Sequence, residues 1–289
     1  MGIKRKIIFK HIGLALVLGA QLAGRAQGGQ EAQPQPNVPC ASKLEVACEQ
    51  LRMGVKAYRA ANFGEALNHF RIAADMDSNF VEARLYLGSA LAQQYVPGGG
   101  AAENLAVANQ AIEAFESVLK LDAGNETALA SVAQIFYTLK KFDKAKEYQQ
   151  RRIDVDPANP EPYYWIGVLD RALCFPRDMT LRKDLELDFP RDADKPNMLP
   201  PLPEDARARL ASENGAAVEE GLQDLKKAIE LKPDDSDAMA YLNLLYRQKA
   251  ELEITEGARQ DDLRIANEWV NKALEARKKA PSPSGQQPK

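Results

Sequence analysis

The residues that most often carry chemistry are few in this chain and poorly spaced for it. Cysteine occurs three times, as Cys40, Cys48 and Cys174. No two have the Cys-x-x-Cys spacing of a redox or metal-binding pair. Cys40 and Cys48 could close a short loop in an oxidising compartment. The alternative is three free, half-buried thiols, and an odd count leaves at least one unpaired in either case. Of the two histidines, His11 and His69, the first lies in an N-terminal segment expected to be removed. A single imidazole is then left, so zinc and haem sites and His-based acid–base chemistry lose their usual residue. Adjacent carboxylates at Glu219-Glu220, Asp234-Asp235 and Asp261-Asp262 fall at helix starts or on solvent-facing positions, where they are solvated or complement a helix dipole. Gly98-Gly99-Gly100 has no basic residue after it and reads as a linker. There is no G-x-S-x-G, no phosphate loop and no H-E-x-x-H. We therefore expect no catalytic residue, no metal and no cofactor: this is not the sequence of an enzyme.

Composition narrows the partners. The chain has 289 residues, 45% of them apolar, and a formal charge of −3. Residues 1–26 hold five basic groups (Lys4, Arg5, Lys6, Lys10, Arg25) and no acid, which leaves 33 basic against 41 acidic groups, a net of −8, for the rest. So acidic a body, with no basic run, argues against nucleic acid and anionic lipid. The basic start, the apolar run Ile12–Ala23 and the small residues Gly24 and Ala26 form a secretory signal peptide, residues 1–26, cleaved after Ala26. The alternative is an uncleaved membrane anchor, but the apolar run is shorter than the roughly 20 residues that span a bilayer. No cysteine sits there to take a lipid anchor. Residues 27–44 read as a disordered leader rich in Gly, Gln, Pro and Ala. Residues 279–289 read as a disordered tail. The protein is expected outside the cytosol, periplasmic or secreted, in a bacterial envelope; the source is inferred from the short signal and the style of the repeats described next.

Internal repetition decides the fold. Gly54 is followed twelve residues later by Ala66, then by Phe70 and Ala73; Ala133 is likewise followed by Ala145. Leu129, Val132, Ala133 and Phe136 share one helical face. Small residues at these offsets let two antiparallel helices approach, while Phe63 and Phe70 fill the seam between hairpins. Five units are legible. Their first helices centre on Gly54, Gly88, Ala133, Gly167 and Asn243, and their second helices carry Ala66, Ala111, Ala145, Gly221 and Ala266. Gly54 to Gly88 and Ala133 to Gly167 are each 34 residues.

On these residues the chain resembles the tetratricopeptide-repeat family, whose 34-residue unit is a helix–turn–helix. The resemblance covers roughly residues 45–278 and implies an all-α, right-handed solenoid that binds another protein. It departs from the family pattern at Pro97-Gly98-Gly99-Gly100, which lengthens one loop. It departs again between Gly167 and Gly221, where about 42 extra residues form an insertion at about 171–215. Six prolines there (Pro176, Pro190, Pro196, Pro200, Pro201, Pro203) argue against one continuous helix. Acidic Glu204 and Asp205, with Asn214-Gly215 to close, suit a short extra helix. The insertion is a partner-gripping arm, a lid or a structural patch; its Leu181, Leu185, Leu187 and Phe189 call for burial.

Stacked hairpins expose the first helix of each unit along a concave face. Projecting the pattern places Leu51, Val55, Tyr58, Leu85, Tyr86, Gln134, Tyr137, Tyr164, Trp165, Val168, Tyr241 and Leu244 on that groove or its rim. The alternative is that several of them pack against neighbouring helices. The family's Lys/Asn clamp for a carboxyl-terminal tail is missing, since Leu51, Val55, Tyr86 and Ser131 stand at its positions. An apolar, aromatic groove suits a hydrophobic or amphipathic peptide or helix. The alternative role is a structural part that stacks through its repeat edges in a larger envelope assembly.

Overall fold

The structure is a computed structural model that describes residue 40 and residues 42–187 and 200–279. The signal peptide at 1–26, most of the leader at 27–44, Phe189 and the tail beyond residue 279 lie outside the described residues. Within them there are ten helices and no strand: α1 (Glu45–Arg59), α2 (Phe63–Met76), α3 (Val81–Gln94), α4 (Ala102–Leu119), α5 (Glu126–Thr138), α6 (Phe142–Val155), α7 (Pro160–Asp184), α8 (Glu204–Leu231), α9 (Ser236–Ala250) and α10 (Glu256–Lys279). None of them is long and apolar enough to cross a membrane. Each of the ten small or marker positions read from the sequence falls on its own helix, in order. The chain divides into two compact units, Met1–Ile135 and Phe136–Lys289.

In the first unit the logic of small residues is directly visible. A Cβ at Gly54 would lie 2.6 Å from the Phe70 ring, and one at Gly88 would lie 2.8 Å from Phe115. Only glycine lets the paired helices close over those rings. Leu51, Val55, Phe70, Ala73, Phe80 and Ala83 form the shared core of α1, α2 and α3. Phe70 fills the seam, but Phe63 is 40% exposed and rests edge-on against Tyr58 instead. Cys40 and Cys48 are joined by a disulfide across eight residues, with Cα atoms 5.6 Å apart. Ser42 donates to Asp77 at 2.6 Å, tying the start of the described chain to the end of α2.

The second unit repeats that seam and adds to it. Gly167 faces Leu225, which a Cβ would approach to 2.4 Å, and Gly221 faces Leu245 at 2.7 Å. Asn159 accepts from the Glu161 N–H with Pro160 at the first helical position, an ordinary helix start for α7. Asp235 caps α9 by accepting from the Asp237 and Ala238 N–H groups.

No single helix runs through 171–215: α7 passes Pro176 and ends at Asp184 after 25 residues, and α8 starts at Glu204. One expectation fails, since the segment after Glu204 is no short helix but the start of a 28-residue α8. The reason is cross-bracing. The Asn214 side chain, wholly buried, donates to the Cys174 carbonyl at 3.1 Å, while Arg177 reaches the Glu213 carbonyl at 3.0 Å and the Asn214 side-chain oxygen at 3.2 Å. Asn214 therefore serves as an interhelical bond instead of a helix stop, and the turns on both sides of Pro176 are held from α8. Leu202, Ala206 and Leu210 pack with Leu181, Leu187 and Leu252 in a satellite cluster, whereas Leu185 stays exposed.

Candidate aromatic docking face

Of the residues projected onto a groove, the structure seals Leu51, Val55, Tyr164, Trp165 and Val168 inside hairpin cores. A helix turns by about 100° per residue, so a residue one step from the groove line falls into the seam. In the first unit Tyr58, Leu85 and Tyr86 remain half-buried, as does Gln134, and Tyr86 stacks on Phe70 at 5.5 Å. In the second unit Tyr137, Tyr241 and Leu244 are half-buried.

The second unit joins its aromatics into one row. Tyr137 meets Trp165 at 5.6 Å between ring centroids, Trp165 meets Tyr164 at 5.6 Å, and Tyr164 meets Tyr241 at 5.6 Å. All three contacts are edge-on, the geometry that aromatic quadrupoles prefer. Tyr164 and Trp165 form the floor, and Tyr137 and Tyr241 present ring surface at either side. Burial raises the phenol pKa at both Tyr137 and Tyr241, so each hydroxyl stays neutral and acts only as a hydrogen-bonding tip. Along α7 the same face continues from Tyr164 through Val168 to Arg171 and Phe175, at spacings of four, three and four residues. The Arg171 guanidinium lies 3.8 Å over the Phe175 ring.

Beside this face lie buried charges that sequence reasoning missed. Asp170 is wholly buried and accepts from Lys146 at 2.8 Å, while Lys146 also bonds Glu220 at 2.7 Å. Burial outweighs the lysine and pushes Asp170 up to about 7; burial, reinforced by Glu220, brings Asp224 up to about 6. A second network centres on the wholly buried Arg182, which bonds Asp178 at 3.0 Å, the Pro200 carbonyl at 2.7 Å and Glu251. These partners lie up to 69 residues apart, and no local pattern announces them. Phe175 and Arg171 had a weak signal: both sit on the projected α7 face, inside what the sequence marks as insertion.

No group of three or more His, Cys, Asp or Glu side chains suited to a metal occurs among the described residues. The Cys174 thiol is buried and pushed up to about 11 by that burial, which makes it a poor nucleophile. Two clefts are open on the second unit, one of about 280 Å³ beside Pro176, Arg177 and Arg209, the other of about 430 Å³ beside Met239, Lys272 and Ala276. Neither contains the buried carboxylates.

Comparison with known proteins agrees with the fold. Residues 127–159, which span α5, α6 and the following turn, match a family model described as a tetratricopeptide repeat. A solved structure of MamA protein is 18% identical, with a TM-score of 0.52 over 81% of this chain and 93% of that one. MamA from Desulfovibrio magneticus RS-1 is also 18% identical, with a TM-score of 0.52 over 83% of this chain and all of that one. At that identity the likeness concerns the fold alone. No curated protein matches the sequence.

Proposed function

We infer that the chain, which is a tetratricopeptide-repeat protein, is a non-enzymatic scaffold of the bacterial envelope that holds a peptide or helix of a partner protein against the aromatic row of its second unit. The observation that carries this reading is the continuous edge-on chain Tyr137–Trp165–Tyr164–Tyr241, buried at its centre and open at its ends. Rigid aromatics with low side-chain entropy and a polar tip are favoured anchors for a partner segment. The acidic body speaks against nucleic acid, and the neutral, apolar floor speaks for a hydrophobic or amphipathic segment. Export is supported by the basic-then-apolar N-terminal sequence and fits a Cys40–Cys48 disulfide, a bond that persists in oxidising compartments.

The test is cross-linked affinity capture from native extract, with mature protein and a Tyr137→Ala/Tyr241→Ala variant as paired baits. One protein held by the first bait and lost from the folded variant is the expected result. Equal recovery by both baits removes the groove from the account. Export is checked separately by the mass of the native protein, expected to begin at Gln27; a chain beginning at Met1 in the cytosolic fraction refutes it.

A second reading has its own observation. Val46 and Met53, seven residues apart, put two exposed apolar side chains on one strip of α1, 60% and 40% exposed. Such a strip suits edge-to-edge stacking in a larger assembly. Under that reading Val46→Ser/Met53→Ser disperses the assembly in sedimentation while the tyrosine variant leaves it intact.

A further inference from the structure

Arg171 is a cation without an anion. Its guanidinium stacks on Phe175 at 3.8 Å and lies within electrostatic reach of the Tyr241 phenol. Its Nε is buried with no hydrogen-bond partner, and among the described residues it forms no ion pair. The carboxylates that could neutralise it are engaged elsewhere: Asp178, seven residues on, is held by Arg182 at 3.0 Å, and Asp170, the preceding residue, by Lys146 at 2.8 Å. Burial lowers Arg171 to about 10, with Tyr241 and then Asp178 opposing only weakly. A half-buried guanidinium left in that state costs stability unless something else meets it. Arginine is the side chain best suited to a planar oxygen pair, since its fork of N–H donors matches a carboxylate in two parallel bonds. An aromatic ring beneath the plane leaves the edge free to make them.

Building on the docking reading above, we propose that Arg171 reads a carboxylate in the bound partner segment, placed just beyond the apolar residues that cover Tyr137 and Tyr241. The shared chemistry is a carboxylate, whether an Asp or Glu side chain or a free chain terminus. The preferred ligand is an amphipathic segment with an apolar stretch followed by one acid, not an acidic tail.

The test uses mature full-length protein and a random twelve-residue peptide library displayed in two formats, one with a free carboxyl terminus and one tethered at both ends. Selection is repeated on Arg171→Gln and on Arg171→Lys, each checked for unchanged helical content. Apolar peptides with one acid should be enriched on the wild type and bind about tenfold or more weakly to Arg171→Gln. Arg171→Lys restores part of the loss, as a point charge lacks the fork. Enrichment only in the free-terminus format identifies the chain end as the source; enrichment in both identifies a side chain. Apolar peptides without an acid, bound equally by wild type and Arg171→Gln, overturn the role of Arg171 and leave the docking face standing. No enrichment on any version overturns both.

Discussion

The hairpins of the first unit and the long hairpins of the second are built on the same seam but finished with different chemistry. Where α1 meets α2 and α3 meets α4, glycine against phenylalanine and a run of alanines suffice; the large buried side chains are apolar. Where α7, α8 and α10 extend beyond the repeat, the small apolar cluster of Leu181, Leu202, Ala206, Leu210 and Leu252 is joined by charge. The extra turns hold the buried Arg182 with Asp178 and Glu251, and the half-buried Lys249 with Asp262 at 3.4 Å, while Lys146 of α6 pairs with the buried Asp170 beside the seam. A seam of apolar contacts is insensitive to pH, and removing part of one leaves no charge stranded. Buried ions behave in the opposite way, and the two regions should therefore fail differently.

The largest effect is expected at Arg182. Arg182→Leu strands the buried carboxylate of Asp178 and leaves Glu251 only its 3.7 Å pair with Arg259, and should cost about 3–5 kcal/mol in chemical denaturation. Replacing all three together with apolar residues should recover most of that loss. If the single change costs under about 1 kcal/mol, the closure of the long hairpins by charge is mistaken.

Next comes the staple that only the first unit possesses. Closing the eight-residue span between Cys40 and Cys48 removes about 2–3 kcal/mol of unfolded-chain entropy on the chain-entropy model. Cys40→Ser/Cys48→Ser should lower the stability of the α1–α2 hairpin by that amount, read by amide exchange, and leave protection in α7 to α10 unchanged.

A smaller loss is shared by both regions. Gly54→Ala and Gly167→Ala each force a Cβ into a neighbouring side chain, at 2.6 Å and 2.4 Å, and should each cost about 1–3 kcal/mol. Similar losses at the two sites confirm a common seam. A neutral result at Gly167 alone would show the second unit to be packed on other terms.

The subtlest difference is in pH. Asp170 is raised from its ordinary value to about 7 and Asp224 to about 6. The folded state therefore holds these protons more tightly than the unfolded chain between about pH 4 and pH 7. The stabilisation is fully present below that range and is lost as pH rises through it. Wild-type melting temperature should fall from pH 5 to pH 8, and Asp170→Asn should flatten the slope. An unchanged slope in that variant removes Asp170 from the explanation.

What could be read beforehand follows the same division. Gly54, Gly88, Gly167 and Gly221 announced their hairpins because a periodic constraint on backbone approach leaves a periodic trace in sequence. The boundaries between floor and seam did not: Tyr164, Trp165 and Val168 lie within one helical turn of the groove line, and one residue of rotation decides burial. Asn214-Gly215 misled because its local preference for ending a helix is overridden by a bond to a residue 40 positions away. Arg182 and Arg171 looked like any solvated helical charge. Only the packing shows that one has two carboxylates and the other has none.

The central claim is that partners meet the aromatic row of the second unit. Hydroxyl-radical footprinting of the protein in its native extract, compared with the purified protein, tests this without knowing the partner. Tyr137, Tyr241 and Phe175 should lose reactivity in the extract while the exposed Val46 and Met53 keep theirs. Protection of Val46 and Met53 with Tyr137 and Tyr241 unchanged would contradict the docking face and leave edge-to-edge assembly in its place.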